Sequence, residues 1–432
     1  MTTPEPLRPE AVRRARTSQH LRWYVCGLLF WATTVNYIDR QVLGILKPVL
    51  AHDLGWNEAD YGWVVFAFQC AYAVMMPIAG RVLDWLGTRL GYALAVLVWS
   101  AAAMSHALAR NLIEFAIARF FLGLGEAANF PAAIKTVANW FPRRERALAT
   151  GIFNSGTNIG ALVAPLLVPF VAARFGWRSS FLVTGGLDLL WIVVWLATYR
   201  PPRQQKWLAQ QELAFIESDQ ETEPARRIPY LQLLRTRAAW AFLLGKFMTD
   251  PVWWFYLYWL PGFLNQKYKL DLTHLGPPLI AVYLFADIGS IGGGWLSSRL
   301  LARGFGVTAA RKIALLTCAL AVVPVSCVIL TGGKLWITVA LIGLAAAAHQ
   351  GWSANLFTIP SDTFPRSAVG SVVGLGGFGG AVGGMLVAPA VGYWLDFSHE
   401  FYGPLFIIAG VAYLCALLVI HLLLPKFKQV DV

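Results

Sequence analysis

The sequence predicts an all-α membrane protein whose twelve transmembrane helices form two pseudo-symmetric six-helix bundles, and three observations predict it. Of 432 residues, 57% are hydrophobic and only 13% are charged, with a mean hydropathy of +0.56, whereas a soluble chain carries about 25% charged residues to solvate its surface. At about 20 apolar residues per span, the length leaves room for about twelve spans with loops and tails. The third observation is that the two halves of the chain repeat one another.

Residues 1–21 form a polar, basic tail. The run that follows lacks a small-residue cleavage site and contains Asp39 and Arg40, so it reads as a retained first span rather than a removed signal peptide. Apolar runs broken by Gly, Pro and charge place helices at roughly 22–48, 59–79, 87–109, 112–140, 147–172 and 178–198. A second set falls at roughly 238–264, 274–298, 310–331, 334–357, 367–391 and 401–424. The bundles are thus expected over 22–199 and 238–424, joined by a polar linker at 200–237 with room for one amphipathic helix, and followed by a tail at 425–432.

The segment G-R-V-L-D-W-L-G-T-R from Gly80 to Arg89 recurs as G-W-L-S-S-R-L-L-A-R from Gly294 to Arg303, with Ser298 in place of Asp84. S-G-T-N-I-G-A-L-V-A-P from Ser155 matches G-G-A-V-G-G-M-L-V-A-P from Gly379, and G-E-A-A-N from Gly125 matches G-W-S-A-N from Gly351. Duplicated six-helix halves are the plan of a secondary carrier whose substrate sits between them.

The net charge of +12 does not point to nucleic acid, because the basic residues fall in short clusters between apolar runs: Arg13, Arg14 and Arg16; Arg143, Arg144 and Arg146; Arg226, Arg227, Arg235 and Arg237; Arg311 and Lys312. The bias places both termini and the linker in the cytoplasm of a protein of the cell (inner) membrane. Five cysteines, Cys26, Cys70, Cys318, Cys327 and Cys415, lie in apolar stretches without metal-ligand spacing and are expected as small buried hydrophobes. No metal or cofactor is expected.

The chain resembles the major facilitator superfamily from about residue 20 to 425. G-R-V-L-D-W-L-G-T-R is similar to that superfamily's loop motif between the second and third helices. N-Y-I-D-R in the first helix, G-L-G-E-A-A-N-F-P in the fourth, N-W-F-P-R-R-E-R-A before the fifth and H-Q-G-W-S-A-N-L-F-T in the tenth resemble the anion:cation symporter family, within it the bacterial hexuronate and hexonate importers. The resemblance implies proton-coupled uptake of sugar acids such as galacturonate or glucuronate. It also implies that the anion-binding Arg and the proton-linked acids are the D-R and G-E residues.

Independently of that likeness, an ionisable residue inside a span costs at least a few kcal/mol and is by default a functional candidate. Asp39 and Arg40 in the first helix and Arg119 and Glu126 in the fourth form the strongest set. Residues seven apart on a helix lie about 20° from one another, so Arg119 and Glu126 share a face, and Asn36 and Tyr37 can share one with Arg40. An anionic substrate needs a cation that cannot lose its proton, and a guanidinium also fits a carboxylate through two parallel hydrogen bonds. Arg40 is therefore the expected anchor, with Glu126 and Asp39 as the coupling acids. The alternative for this set is an ion-pair network that only orients helices, and Arg119 either binds substrate or neutralises Glu126.

In the repeat, Trp352 occupies the position of Glu126, so proton chemistry is expected in the first half and substrate hydroxyl and ring contacts in the second. Asn355, Ser353, Gln350 and His349 are the hydroxyl-binding candidates, and Trp352 and the aromatic run from Trp253 are the stacking candidates, against the alternative of plain packing or interface anchoring. Asn154 and Asn158 either face the cavity or pack helices. Asp287 either pairs with Lys246 or titrates separately. His106, His274 and His421 read as peripheral. Asp84, Arg89 and Gly80 read as a gate, with Asp84 accepting bonds from a helix N-terminus and a loop Arg. Gly123, Gly125, Gly151, Gly156, Gly160 and the cluster 374–384 read as close-approach positions between helices.

The expected partners are a sugar acid, protons and the bilayer, with the protein working as a monomer. Other small carboxylates, such as aldarates or aromatic acids, are the alternative substrates, and Na⁺ the alternative coupling ion. A membrane enzyme is disfavoured because no H-E-x-x-H, His cluster or G-x-S-x-G occurs, and an ATP-driven pump because no Walker-type loop does. A carrier-like sensor would usually append a signalling domain.

Overall fold

A computed structural model describes residues 20–218 and 229–430. The expected N-terminal tail up to 19, with Arg13, Arg14 and Arg16, lies outside the described residues, as do 219–228 of the linker, with Arg226 and Arg227, and 431–432.

The first half comprises α1 (Leu21–Leu54), α2 (Glu58–Ser105), α3 (Leu112–Glu126), α4 (Asn129–Trp140), α5 (Arg143–Phe175) and α6 (Trp177–Thr198). The second comprises α9 (Arg237–Tyr268), α10 (Gly276–Ala302), α11 (Val307–Val322) with a 3-10 stretch Val323–Thr331, α12 (Leu335–Leu356), α13 (Thr358–Thr363), α14 (Arg366–Phe397) and α15 (Gly403–Leu423). In the linker lie a 3-10 turn, Pro202–Gln204, and helices α7 (Gln210–Glu217) and α8 (Tyr230–Leu233).

At about 1.5 Å per residue, the 48 residues of α2 are long enough to cross a bilayer core of about 30 Å twice. Gly87 lets them do so: its φ of 74° and ψ of 160° turn the chain between the second and third spans, a conformation that suits a residue without a Cβ. Among the described residues, eight helices are long and apolar enough to cross a membrane. Counting α2 twice gives nine crossings, and the other three spans are α1, α3 with α4, and α9.

The fourth span, expected as one helix over 112–140, is broken, and the tenth, whose helix keeps to the expected 334–357, is followed by a short separate helix. The fourth stops at Glu126 and restarts at Asn129, with Pro131 in the next turn; the tenth stops at Leu356 and restarts at Thr358, with Pro360 in the next turn. Proline has no N–H for the carbonyl four residues back, so each break falls where the ladder cannot close.

The bundles' outer faces are apolar, as for Ile288, Ile291 and Leu330. Cys327 and Cys415 lie on exposed faces, contrary to the expectation that all five cysteines are buried; Cys26 and Cys318 are buried. Contact with lipid and burial in protein leave the same apolar signature in a sequence. His106, expected at the periphery, is fully buried, with Nδ1 2.8 Å from the Ala102 carbonyl and its ring stacked 4.9 Å from Phe181. It ends α2 inside the bundle, where a helix-end carbonyl needs a partner.

The linker docks on the first half. Arg22 donates from Nε to Glu145 and from Nη1 to Glu212 of α7, both at 2.9 Å, and Ile216 is buried beneath. Away from this linker end, at the far end, the halves are joined main chain to main chain. A Cβ on Gly44 would come within 2.8 Å of the Leu257 carbonyl, on Gly62 within 2.8 Å of that of Ala388, and on Gly392 within 2.4 Å of that of Glu58. Asp396 of α14 also caps α2 across the interface, accepting from the Glu58 and Ala59 amides at 2.8 and 2.7 Å. Toward the linker end, Gly80, Gly151 and Gly370 face open space; for Gly151 this departs from the expected close approach, which Gly123, Gly125, Gly156 and Gly160 do make.

Candidate functional site

α1 and α3 bring the strongest set together inside the first half. Arg40 of α1 donates from Nε to Glu126 Oε2 at 2.5 Å, with 2% and 0% of the two side chains exposed. Arg119, one face of α3 along from Glu126, donates from Nη2 to the Arg40 carbonyl at 3.2 Å. Four rings surround the Arg40 guanidinium, those of Tyr37, Phe68, Tyr72 and Trp254, at 5.1, 5.6, 4.8 and 5.6 Å. Trp254 comes from α9, so both halves contribute to the cage. Cation–π attraction in a dry site holds a guanidinium while leaving its N–H groups free for a second partner.

Many such groups are free here. Arg40 Nη2, Arg119 Nε and Nη1, Glu126 Oε1, both polar atoms of Asn36 and of Gln69, and the Tyr258 hydroxyl are buried without hydrogen-bond partners. Buried polar groups are normally satisfied; these orphans come from α1, α2, α3 and α9. Gln69, with Phe68 and Tyr72 on the second span, was not singled out from the sequence, because a neutral Gln in an apolar run carries no charge signal.

Asp39 is buried on the other side of α1, beside Thr184 and Asp188 of α6 and near Arg119. Asp188, also missed, is the lone acid in the apolar sixth span.

In the second half, Trp352 is fully buried, its ring edge-on to Tyr413 at 5.4 Å and its Nε1 unpartnered. His349 Nδ1 lies 2.6 Å from the Tyr413 hydroxyl, and its ring stacks on Trp253 at 5.1 Å. Asn355 donates from Nδ2 to the carbonyls of Gly293 and Gly351, both at 2.9 Å, clasping α12 to α10; only its Oδ1 is unpartnered. Gln350 is half-buried. Lys246 pairs with Asp250 at 2.8 Å, not with Asp287: the two are one helical turn apart on α9, and Gly380 leaves Asp250 the room a Cβ would take. On α5, Asn154 is exposed and Asn158 Oδ1 accepts from the Thr157 hydroxyl at 3.1 Å.

Of the residues expected to form a gate, Asp84 and Arg89 tie helices of the first half together. Asp84 accepts from Lys135 Nζ of α4 at 2.8 Å, and Arg89 donates to the Leu196 carbonyl of α6 at 2.6 Å, while Gly80 faces open space. Lys135, which was not singled out from the sequence, is thus one partner of Asp84. In the repeat the acid comes from elsewhere: Arg311 donates to Asp362 at 2.9 Å and to Ser297 at 2.5 Å.

The sequence of residues 29–388 matches the family model described as Major Facilitator Superfamily. The chain belongs to that superfamily. It is 33% identical over 430 residues, covering 96% of this chain and 97% of the relative, to the hexuronate transporter of Escherichia coli (strain K12). It is 36% identical to the galacturonate transporter of Dickeya chrysanthemi over 64% of this chain and 81% of that one, and 30% identical to the probable galactarate/D-glucarate transporter of Bacillus subtilis (strain 168) over 97% and 95%. Among solved structures, a D-xylose-proton symporter superposes with a TM-score of 0.74 at 16% identity, covering 94% of this chain and 98% of that one. The major facilitator fold is thereby established, and the protein is a transporter rather than an enzyme.

Proposed function

We propose that the protein is a proton-coupled importer of sugar-acid anions, hexuronates such as galacturonate and glucuronate or hexonates, working by alternating access in the cell (inner) membrane with both termini cytoplasmic. The observation that carries this reading is the Arg40 guanidinium, buried, caged by four rings and held by Glu126 with Nη2 still free. The hexuronate and galacturonate transporters among its relatives support the substrate class.

In the proposed cycle the site opens outward, and Glu126 and Asp39 take up protons. Protonation of Glu126 removes the negative charge that holds Arg40, which then binds the substrate carboxylate through two hydrogen bonds. Asn36, Tyr37 and Arg119 help to place the anion, with sugar hydroxyls facing the polar and aromatic groups of the second half. The neutralised complex can rock inward because no uncompensated charge crosses apolar packing. Low substrate and a less acidic cytoplasm favour release of the anion and then of the protons. A second reading, import of sugar diacids, rests on Lys246 as a buried cation of the second half and on the galactarate/D-glucarate relative.

The test is uptake of labelled galacturonate, glucuronate and galactarate into proteoliposomes with an inward proton gradient imposed and then collapsed, for wild type and Glu126→Gln. Gradient-driven accumulation of a monoacid that the variant loses while keeping exchange is the expected result. Accumulation indifferent to the gradient would remove proton coupling, and transport of galactarate alone would select the diacid reading.

A further inference from the structure

Resting on the sugar-acid reading above, we propose that Gln69 is a specificity-determining residue: with Trp254 and Gly384 it forms a subsite, on the seam between the two halves, for a hydroxyl of the sugar acid whose carboxylate Arg40 holds. Between Asp60 and Arg81 the second span carries no other amide or charged side chain. Gln69 is nonetheless fully buried there, and neither its Nε2 nor its Oε1 has a hydrogen-bond partner. An amide buried without a partner destabilises the span, and an apolar side chain of the same size would not. A bond made only when substrate is present accounts for the group.

The helix places the amide beside the anchor. Phe68 and Tyr72, whose rings lie 5.6 and 4.8 Å from the Arg40 guanidinium carbon, share one face of α2. Gln69 follows about 60° around the helix from Tyr72, and there it meets α14. A Cβ on Gly384 would stand 3.2 Å from Gln69 Nε2, 3.2 Å from Trp254 Nε1 and 2.8 Å from Trp254 Cδ1. The two nitrogens are therefore within twice 3.2 Å of each other, a span that one hydroxyl oxygen bridges with two hydrogen bonds. Glycine at 384 keeps α14 from filling the space in front of both. The Trp254 ring also lies 5.6 Å from the Arg40 guanidinium carbon, so one indole borders the carboxylate anchor on one side and the amide on the other. A primary amide has two donors and an acceptor, and can both give to a hydroxyl and take from it. Being neutral, it leaves the exchange of Glu126 for substrate on Arg40 undisturbed. Gln69 comes from the first half and Trp254 and Gly384 from the second, so a hydroxyl held here is held by both. An anion lacking that hydroxyl leaves the amide unpaired, which is how a polar site rejects an analogue.

The test is uptake into proteoliposomes by wild type and Gln69→Leu, read with whichever of galacturonate, glucuronate and galactarate wild type carries best. The substitution should raise KM about tenfold with kcat within about twofold, because it removes a bond to bound substrate. Tetrahydropyran-2-carboxylate, the hexuronate ring acid without its hydroxyls, is added as a competitor to isolate the amide. Gln69→Leu should leave its inhibition of uptake unchanged or strengthen it. An unchanged KM for the sugar acid, or affinities for sugar acid and competitor that fall alike, overturns the proposal. Should Gln69→Leu not fold, the unbranched Gln69→Met carries the same expectation. Wild type that carries none of the three sugar acids counts against the functional reading, whereas a wild type that carries one, matched by Gln69→Leu, counts against this inference alone.

Discussion

The fourth span and its repeat, the tenth, break at corresponding places, yet one half is charged where the other is aromatic. Before the break in the first half lies Glu126, bonded to Arg40 and ringed by unpartnered polar atoms. Before the break in the second lies Trp352, packed on Tyr413, with His349 and most of Asn355 already satisfied by neighbours. Duplication has kept the backbone device and divided the chemistry: one half holds groups waiting for a partner, the other a wall that is largely complete.

Replacing the central cation breaks this contrast most directly. Arg40→Lys keeps the charge but loses the planar fork, and is expected to lower kcat/KM for uptake about 100-fold, equivalent to about 3 kcal/mol. If Lys transports normally, the bidentate argument fails. The matching change in the second half, Lys246→Gln with Asp250→Asn, removes a pair that already satisfies itself and should lower monoacid kcat/KM by less than about tenfold. A loss as large as that of Arg40→Lys would place substrate on α9 and dissolve the division of labour. Smallest should be Asn355→Ala, which deletes two bonds between α12 and α10 worth about 1–2 kcal/mol together. Its expected signature is a melting temperature lower by a few degrees in detergent with KM unchanged; a raised KM at constant Tm would move Asn355 from clasp to binding surface.

What was legible in the sequence follows the same line. The spans, the repeat and the quartet Asp39, Arg40, Arg119 and Glu126 announce themselves because charge inside a long apolar run is expensive wherever it occurs. Asp188 carried that signal too, but its meaning depends on α6 lying against α1, which no local pattern reveals. The Lys246–Asp250 pair was readable from its spacing of four, whereas Arg311–Asp362 and the Asp396 cap join residues 51 and more than 300 positions apart. Cys327 and Cys415 were misplaced because lipid and protein interior select the same residues. Pro131 marked the break in the fourth span, though hydropathy ran on through it.

The glycine contacts at the far end have a consequence for the energy of the cycle. Gly44, Gly62 and Gly392 meet carbonyls of the opposite half with no side chain between them. Ordering a long side chain costs up to about 2 kcal/mol in lost rotamer freedom, and glycine has none to lose. Closing this end therefore freezes few rotors, and opening it liberates few. The two shapes of the carrier are separated by little side-chain entropy, so neither becomes a thermodynamic trap, and the small differential affinities of an anion and a proton suffice to drive the molecule between them.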